Sequence, residues 1–278
     1  MKYYLFNPHS GSGEARACAE LLRASAGADA TVVDMTEIAS YKDFVGALTA
    51  DDTVVIFGGD GTLNRFINGI SDCEPLASVQ YMPTGSGNDF AIDIGMGAAE
   101  EPVDITEYIK DLPTVVVDGK VTRFINGVGY GIDGYCCEVG DELKLKGKKP
   151  NYTGIAISGL LFHYKPCDAV VTVDGVEHTF KKVWIAPTMY GSHYGGGMIP
   201  TPMQKRGSDK LSLMVFHGSN KLVTLMIFPN IFKGEHVKST KYVTVLEGKE
   251  ITVKFTEPRA LQIDGETVLG VTSYTAKR

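Results

Sequence analysis

The chain has 278 residues, of which 44% are apolar and 22% charged, which is enough apolar material for one large packed domain or two ordinary ones. Its formal net charge of −6 excludes the strongly basic composition of general nucleic-acid-binding domains, so we expect no nucleic-acid partner. No run approaches the roughly 18 consecutive apolar residues of a membrane span, and the apolar start ends at Asn7-Pro8, too early for a signal peptide. We therefore expect a folded, cytoplasmic protein.

The first 113 residues alternate two kinds of pattern. Short apolar runs predict strands at 2–6, 30–33, 53–57 and 78–82, and apolar residues at helical spacing predict helices at 14–26, 41–48, 63–70 and 90–94. Alternation of this kind is typical of a parallel sheet flanked by helices. The sequence therefore predicts an N-terminal α/β domain over residues 1–113.

Residues 114–278 have a different pattern of apolar residues. Short β-type runs occur at 114–117, 123–128, 169–173, 183–186, 211–216, 242–246, 251–255 and 260–263, with turn signals such as Asp118-Gly119 between them. Two longer apolar stretches, 155–164 and 221–232, are predicted to be helical. We expect a β-rich sandwich domain here and a ligand cleft between the two domains.

A glycine-rich loop, residues 58–64 (GGDGTLN), follows a buried strand and precedes a helix. Glycines at this position let backbone N–H groups approach phosphate oxygens closely, and the start of the helix adds a favourable partial positive charge. Asp60 has no place in such a cradle as a bare anion, so we assign it to Mg²⁺ or to activation of an acceptor hydroxyl. The alternative is a tight turn in which Asp60 caps the helix.

Two further polar glycine loops, 7–13 (NPHSGSG) and 83–90 (PTGSGNDF), follow the first and fourth predicted strands. Because the carboxyl ends of parallel strands meet at one edge of a sheet, we expect all three loops around one ligand. Ser10, Thr62, Asn64 and Ser86 offer neutral hydrogen bonds, and Asp89 adds a second carboxylate for a hydrated Mg²⁺.

The absence of other motifs excludes three kinds of catalytic or nucleotide site. The P-loop, H-E-x-x-H and G-x-S-x-G patterns do not occur in the sequence. Residues 129–134 match G-x-G-x-x-G, but they lie in the strand-rich half and precede no predicted helix, so we interpret this match as a coincidence.

Together the three loops resemble the diacylglycerol kinase catalytic-domain family, which includes bacterial soluble lipid kinases and the sphingosine kinases. The resemblance extends through 117–119, 123–126, 195–197, 234–236 and 262–266. It implies an N-terminal nucleotide domain, a C-terminal β-sandwich whose last residues can return to the first domain, and Mg²⁺-dependent transfer of phosphate from ATP to a lipid hydroxyl.

Site residues follow by matching positions. Glu266 matches the family's proposed proton acceptor, with Asp60 as the other candidate catalytic residue, and Asp60, Asp89 and Asp118 match its acidic metal-and-phosphate network. From the residues alone, Asp118 and Glu266 are equally compatible with ordinary Asp-Gly turns. The loops and the resemblance together give as nucleotide-binding positions Asn7, Pro8, His9, Ser10, Gly11, Thr36, Gly58, Gly59, Gly61, Thr62, Leu63, Asn64, Arg65, Gly85, Ser86 and Asn88.

The chain departs from the family at three places. Arg65 stands where many members have Glu, Ser12 stands where Lys is common, and the segment 207–211 lacks two carboxylates of a structural cation site. These departures leave two alternatives to a lipid kinase open: an NAD kinase, which shares the glycine loop, and a nucleotide-binding regulatory protein without turnover.

A lipid acceptor also requires contact with a bilayer. The apolar stretches 155–162 and 222–232, with Lys144, Lys146, Lys148 and Lys149 for anionic headgroups, are the candidates. Core helices and a solvated loop are the structural alternative. We expect a lipid substrate and peripheral association with an anionic membrane, and the sequence leaves room for a homodimer.

Overall fold

The computed structural model describes residues 1–8, 14–71, 73, 77–96 and 101–278. The chain divides into two compact units, Met1–Leu112 and Pro113–Arg278. The cleft between the domains and the return of the last residues to the first domain stay predictions. Among the described residues, no helix is both long and apolar enough to span a bilayer.

The first unit alternates strands and helices. Its elements are β1 (Lys2–Phe6), α1 (Glu14–Ala26), β2 (Ala30–Asp34), α2 (Tyr41–Gly46), β3 (Thr53–Gly58), α3 (Asp60–Gly69), β4 (Ser78–Pro83), α4 (Asp89–Asp93), β5 (Val103–Asp104) and α5 (Thr106–Lys110), with a 3-10 turn at Gly27–Asp29. They form one sheet in the order β2-β1-β3-β4-β5, in which β1 to β4 are parallel and β5 is antiparallel to β4. The predicted α/β domain is confirmed.

The burial of the central strand β3 shows that both faces of this sheet are covered. Val54, Val55, Ile56 and Phe57 are all at most 1% exposed, so consecutive side chains, which point to opposite faces, are all buried. The parallel arrangement brings the carboxyl ends of β1 to β4 to one edge of the sheet.

The second unit is mainly β-structure. Its strands are β6 (Thr114–Val117), β7 (Lys120–Arg123), β8 (Gly127–Tyr130), β9 (Cys167–Val173), β10 (Val176–Val183), β11 (Thr188–Met189), β12 (Leu211–Phe216), β13 (Val243–Gly248), β14 (Glu250–Ile263) and β15 (Glu266–Lys277). All of the strand pairs are antiparallel, in the order β13-β12-β11-β8-β14-β15-β6-β7, and the β9-β10 hairpin joins through β14. The β-rich second domain is confirmed.

Several helical segments interrupt this sheet. They are α6 (Ile132–Leu145), α7 (Tyr152–Ser158) continued by a π-type turn (Gly159–His163), α8 (Lys221–Ile227) continued by a 3-10 turn (Phe228–Lys233), and a second 3-10 turn (Glu235–Lys238). The two predicted helices therefore exist but change geometry midway. In the second of them Pro229, which has no N–H, stands at the change.

Strand boundaries differ from prediction at three places. The predicted strand 123–128 is split, because the N–H groups of Ile125 and Asn126 bond to the Asp264 carboxylate rather than to a neighbouring strand. Of the predicted strand 183–186, Val183 ends β10 and Ile185 forms only isolated bridges. The predicted strands 251–255 and 260–263 form one long strand, β14.

The 14-residue helix α6 was not predicted. It begins inside residues 129–134, so the expectation that this segment opens no helix is wrong. Its sequence has poor helix propensity, with glycines at 134 and 140. Packing requires these glycines: a Cβ on Gly134 would lie 1.9 Å from the Ala260 carbonyl oxygen, and one on Gly140 would lie 2.6 Å from the Tyr152 ring. Tertiary contacts therefore stabilise a helix that local propensity does not favour.

Candidate functional site

Three of the predicted loops begin at the carboxyl edge of the first sheet. Asn7 follows β1, Gly58 ends β3, and Pro83 ends β4. Thr36 lies just beyond β2 at the same edge, where its N–H and hydroxyl both donate to Asp34 Oδ1, at 2.8 and 2.7 Å.

The first and second loops are joined by a side-chain contact. Asn7 Nδ2 donates to Thr62 Oγ1 at 3.4 Å, and Thr62 is only 4% exposed. Pro8 is exposed beside Asn7. The predicted residues His9, Ser10 and Gly11 lie outside the described residues.

The second and third loops meet through their glycine backbones. A Cβ on Gly85 would lie 2.5 Å from the Gly59 Cα, so a side chain at this position would push the loops apart. Asn88 braces the third loop: its Oδ1 accepts from Gly85 N at 3.1 Å, and its Nδ2 donates to Gly85 O at 2.8 Å. Asn88 itself has a left-handed φ of 54°, which asparagine tolerates better than most residues. Ser86 is exposed between them.

Asp60 connects α3 to α4. Its Oδ1 accepts from the N–H of Phe90 at 2.8 Å, and its Oδ2 accepts from the N–H of Asp89 at 3.0 Å. The carboxylates of Asp60 and Asp89 both lie near the buried Tyr81. The pKa of the Tyr81 hydroxyl is raised first by burial and then by the negative charges of these two carboxylates. The three loops thus place two carboxylates and several backbone groups together.

Not every predicted residue at this edge offers its side chain to a ligand. Leu63 is fully buried and its N–H bonds to Gly59 O at 3.1 Å, so its side chain belongs to the core. Asn64 is 5% exposed, and its Oδ1 accepts from Asn68 at 3.2 Å. Arg65 and Gly61 are exposed on α3.

Two predicted carboxylates belong to the second unit. Asp118 occupies the β6-β7 hairpin turn, with a left-handed φ of 49° and Gly119 following at 81°. Glu266 is exposed at the start of β15, after a similar turn formed by Asp264 and Gly265. For both residues the structure is that of an Asp-Gly turn, so their catalytic and metal-binding roles stay predictions.

The turn that carries Glu266 is anchored by hydrogen bonds. The Asp264 carboxylate accepts three backbone N–H groups, from Ile125 at 2.6 Å, Asn126 at 2.8 Å and Gly127 at 3.0 Å. Gln262 Oε1 accepts from Gly265 N at 2.7 Å. These bonds fix the hairpin tip on the loop that follows β7.

Asp133, in the first turn of α6, is a buried carboxylate that the sequence analysis missed. It is 7% exposed and accepts hydrogen bonds from Gly134 N at 2.9 Å and Tyr194 OH at 3.2 Å. Burial raises its pKa to about 6, against the opposing effect of these hydrogen bonds and one from Gln262. Gln262 thereby links Asp133 to the turn of Glu266.

The first glycine of the G-x-G-x-x-G match makes room for this carboxylate. A Cβ on Gly129 would lie 1.6 Å from Asp133 Oδ2, so glycine is required for the carboxylate to fit. A signal was present in the sequence: an aspartate among apolar residues directly after a buried strand.

A cavity of about 400 Å³ opens beside α6 and α7 in the second unit. Its walls include Tyr135, Val139, Leu143 and Ile155, with Lys149 and His163 among the polar residues. Among the described residues, no group of three or more His, Cys, Asp or Glu side chains is arranged to hold a metal ion. The carboxylates of the partly buried Asp60 and of Asp89, which is only 4% exposed, both act on the Tyr81 hydroxyl, and two carboxylates are the number that a Mg²⁺ shared with phosphate oxygens commonly uses.

Comparison with known proteins finds two family models that match the chain. Residues 3–120 match the family model of the diacylglycerol kinase catalytic domain, and residues 126–276 match the YegS C-terminal NAD kinase β-sandwich-like domain. The chain is 26% identical over 253 residues to a Mycobacterium tuberculosis protein described as diacylglycerol kinase, covering 84% of this chain and 79% of the relative. It is 23% identical over 224 residues to the Bacillus subtilis protein of the same description, covering 79% and 73%.

A solved Bacillus anthracis structure described as a diacylglycerol kinase has the same fold, with a TM-score of 0.64 and 18% identity over 100% of this chain and 93% of that one. The two family models together account for both structural units. The chain therefore belongs to the diacylglycerol kinase catalytic-domain family, a family of lipid kinases, and carries its β-sandwich-like C-terminal domain.

Proposed function

We propose that this protein is a lipid kinase that transfers the γ-phosphoryl group of ATP to the hydroxyl of diacylglycerol or a related lipid. The observation that carries the proposal is the meeting of three polar loops at one sheet edge, through the Asn7–Thr62, Gly59–Gly85 and Asp60–Phe90 contacts. The descriptions of the Mycobacterium tuberculosis and Bacillus subtilis relatives support diacylglycerol as the acceptor.

In this proposal the loops of the first unit bind the triphosphate. Gly59 and Gly85 approach each other closely and both stay partly exposed, which suits backbone groups that bind phosphate oxygens. Asn7 and Asn88 hold the loops in place. Mg²⁺, when bound, offsets the negative charge of the transferring phosphoryl group, and Asp60 and Asp89 are the carboxylates that would hold it.

The acceptor hydroxyl must lose a proton as its oxygen bonds to the γ-phosphorus and the bond to the ADP oxygen breaks. Asp60 already accepts two backbone N–H groups and thereby holds the third loop against the second. Glu266 lies at an exposed hairpin tip whose neighbours Asp264 and Gln262 fix the backbone. We assign the proton to Glu266 and the positioning of loop and metal to Asp60.

The cavity beside α6 and α7 supports a lipid acceptor. Aliphatic and aromatic side chains form much of its wall, and about 400 Å³ can hold part of an acyl chain.

Radiolabelled ATP, Mg²⁺ and detergent-dispersed diacylglycerol, monoacylglycerol, sphingosine or NAD test the proposal directly. We expect label in diacylglycerol or a related lipid, and loss of transfer in Glu266→Gln with ATP binding retained. Labelled NAD would select an NAD kinase instead, and ATP binding with no transfer to any acceptor would select a regulatory protein. Glu257→Gln, a change of another exposed glutamate in the second unit, is the matched control.

A further inference from the structure

One arginine of the second unit, Arg206, bonds the loop on which the Glu266 turn rests. Arg206 is partly buried and lies between strands β11 and β12. Its Nη1 donates to the Ile125 carbonyl oxygen, and its Nη2 donates to Asn126 Oδ1 at 2.9 Å. The planar guanidinium therefore bonds two adjacent residues at once, a geometry that a lysine ammonium does not reproduce.

The bond to Ile125 reaches the same peptide group that binds Asp264. The carbonyl of Ile125 and the N–H of Asn126 belong to one peptide group, whose oxygen accepts from Arg206 and whose N–H donates to Asp264 Oδ1 at 2.8 Å. One peptide dipole therefore lies between a cation and an anion, in the direction that both charges favour. Hydrogen bonds in such a series strengthen one another, so loss of the guanidinium should also weaken the bond to Asp264.

Asn126, which is 2% exposed, is bonded at its backbone N–H, its carbonyl and its side chain. Its carbonyl oxygen accepts from the N–H groups of Tyr190 at 2.9 Å and Gly191 at 3.1 Å. The guanidinium carbon of Arg206 lies 5.3 Å from the centre of the Tyr190 ring, where a cation is attracted to the aromatic face. Tyr190 therefore helps to fix both the arginine and the asparagine that it bonds.

Gln204 anchors the segment that carries Arg206. Gln204 is 7% exposed, and its Nε2 donates to the carbonyl oxygens of Lys205 at 3.2 Å and Lys210 at 3.1 Å. Its Oε1 accepts from the hydroxyl of Ser212, on β12, at 2.5 Å. Because this segment is tied to a strand of the sheet, Arg206 can act as a fixed support.

We propose that Arg206 supports the Glu266 turn and is thereby a positioning residue for phosphoryl transfer. The support runs from the guanidinium through the peptide group of Ile125 and Asn126 to the Asp264 carboxylate, two residues before Glu266. The inference rests on the proposed function, in which Glu266 accepts the proton of the lipid hydroxyl. A displacement of about 1 Å in a reacting group can cost about 10²-fold in rate, so loss of this support should lower turnover.

Steady-state kinetics of Arg206→Gln with detergent-dispersed diacylglycerol test this role. We expect kcat to fall by about tenfold or more. The KM for ATP should stay within about twofold of the parent, because the nucleotide loops belong to the first unit. Arg206→Lys, which keeps the charge but not the planar fork, should have a kcat between those of Arg206→Gln and the parent.

Chemical rescue provides a second readout that general destabilisation would not produce. Guanidinium chloride, at a concentration that leaves the chain folded by circular dichroism, should raise the kcat of Arg206→Ala. Sodium chloride at the same concentration should not, because it supplies no planar donor for the two acceptors.

Amide hydrogen exchange without substrates tests the support itself. In Arg206→Gln, the amides of Asn126 and Gly265 should exchange faster than in the parent. The first of these amides donates to Asp264, and the second donates to Gln262 within the turn. General destabilisation would instead raise exchange throughout the second unit.

Arg259→Gln is the matched control. Arg259 is also partly buried in the second unit, with its guanidinium carbon 5.2 Å from the centre of the Tyr164 ring. Its Nη2 donates to a backbone carbonyl, that of Lys165, at 3.1 Å. We expect this variant to retain both the kcat of the parent and the protection of the two amides.

The outcomes separate the support from the proposed function. An active parent with an unchanged kcat in Arg206→Gln, or an equal loss in Arg259→Gln, would overturn the role of Arg206 and leave the kinase intact. A parent that phosphorylates no lipid, with faster exchange at Asn126 and Gly265 in Arg206→Gln, would overturn the kinase and retain Arg206 as the support of the turn.

Discussion

Asp60 and Phe90 are thirty residues apart in the chain, yet the Asp60 carboxylate accepts the Phe90 backbone N–H at 2.8 Å. With the second bond from Asp89 N–H, one side chain holds the start of α4 against the start of α3. A residue of the loop after β3 therefore holds the loop after β4 in position. A substitution in one loop should change the position of the other.

The first prediction concerns this bond. Asp60→Asn replaces one of the two acceptor oxygens by an NH₂ group, which then faces a backbone N–H. We expect about 1–3 kcal/mol lower stability, because a buried donor is left without an acceptor. We expect phosphoryl transfer to fall by about 10²-fold or more, because the loop and the metal lose the charge of a positioned carboxylate. Urea unfolding and the labelled-ATP assay measure the two effects.

Asp104→Asn is the control for Asp60. Asp104 also lies in the first unit and accepts a backbone N–H, from Thr106 at 2.8 Å, as well as the Ser78 hydroxyl at 2.7 Å. It should lose some stability but keep its turnover. Turnover in Asp60→Asn within a few fold of the parent would remove Asp60 from the mechanism.

The second prediction concerns the glycine contact. In Gly85→Ala the new Cβ would lie 2.5 Å from the Gly59 Cα, so the loops must separate. We expect about 1–3 kcal/mol lower stability from this overpacking and a raised KM for ATP. Gly46→Ala on α2 is the control: its Cβ would have no atom within 4 Å, and we expect it to stabilise the protein by about 0.5–1 kcal/mol. Unchanged ATP affinity in Gly85→Ala would separate this contact from the nucleotide site.

The sequence was a good guide to the first unit because its signals are local. Buried β-type runs separated by glycine and asparagine loops determine which strand ends carry polar groups. It could not supply the hydrogen bonds that join the loops, since these connect residues 29 or more positions apart. Leu63 illustrates an avoidable error: with Phe66, Ile67 and Ile70 it follows the i, i+3, i+4, i+7 spacing of a buried helix face.

The second unit was harder to predict because packing overrides local preference there. Helix α6 contains two glycines that its neighbours require, and residues 125 and 126 leave the strand pattern to bond Asp264. Neither contact has a sequence signature. The Asp-Gly turns, by contrast, were recognisable, although turn chemistry alone does not separate a structural turn from one that carries a catalytic group.

The third prediction separates these two roles for Asp118. Asparagine adopts the left-handed φ of 49° readily, so Asp118→Asn should preserve the hairpin and keep stability within about 0.5 kcal/mol of the parent. If Asp118 belongs to the acidic network, as we expect, transfer falls by about tenfold or more. Asp174→Asn is closely matched, because Asp174 has a φ of 48° in the Asp-Gly turn between β9 and β10. Full activity in both variants would assign Asp118 to the turn alone.

The last prediction follows from the raised pKa of Asp133. Its pKa is about 6 in the folded protein and about 3.9 in an unfolded chain, so the folded state binds more protons between these values. Stability must then fall as the pH rises from about 4 to about 6, by roughly 3 kcal/mol in total for two pKa units. Asp133→Asn carries no titrating group, so its stability relative to the parent should rise over the same interval. Urea unfolding at closely spaced pH values measures the difference.

Tyr194→Phe extends the same test. The Tyr194 hydroxyl donates to Asp133 at 3.2 Å and so favours the charged carboxylate. Its removal should raise the pKa of Asp133 further. The fall in stability with rising pH should then continue to a higher pH than in the parent. Because the Gln262 bond to Asp133 also favours the charged carboxylate, ionisation of Asp133 should hold Gln262 and the Glu266 turn more firmly, visible as higher protection of the Gly265 amide from hydrogen exchange. Parallel pH profiles of stability in the parent and the Asp133→Asn variant would show that the pKa of Asp133 does not change on folding, and the effect of burial on this carboxylate would be ruled out.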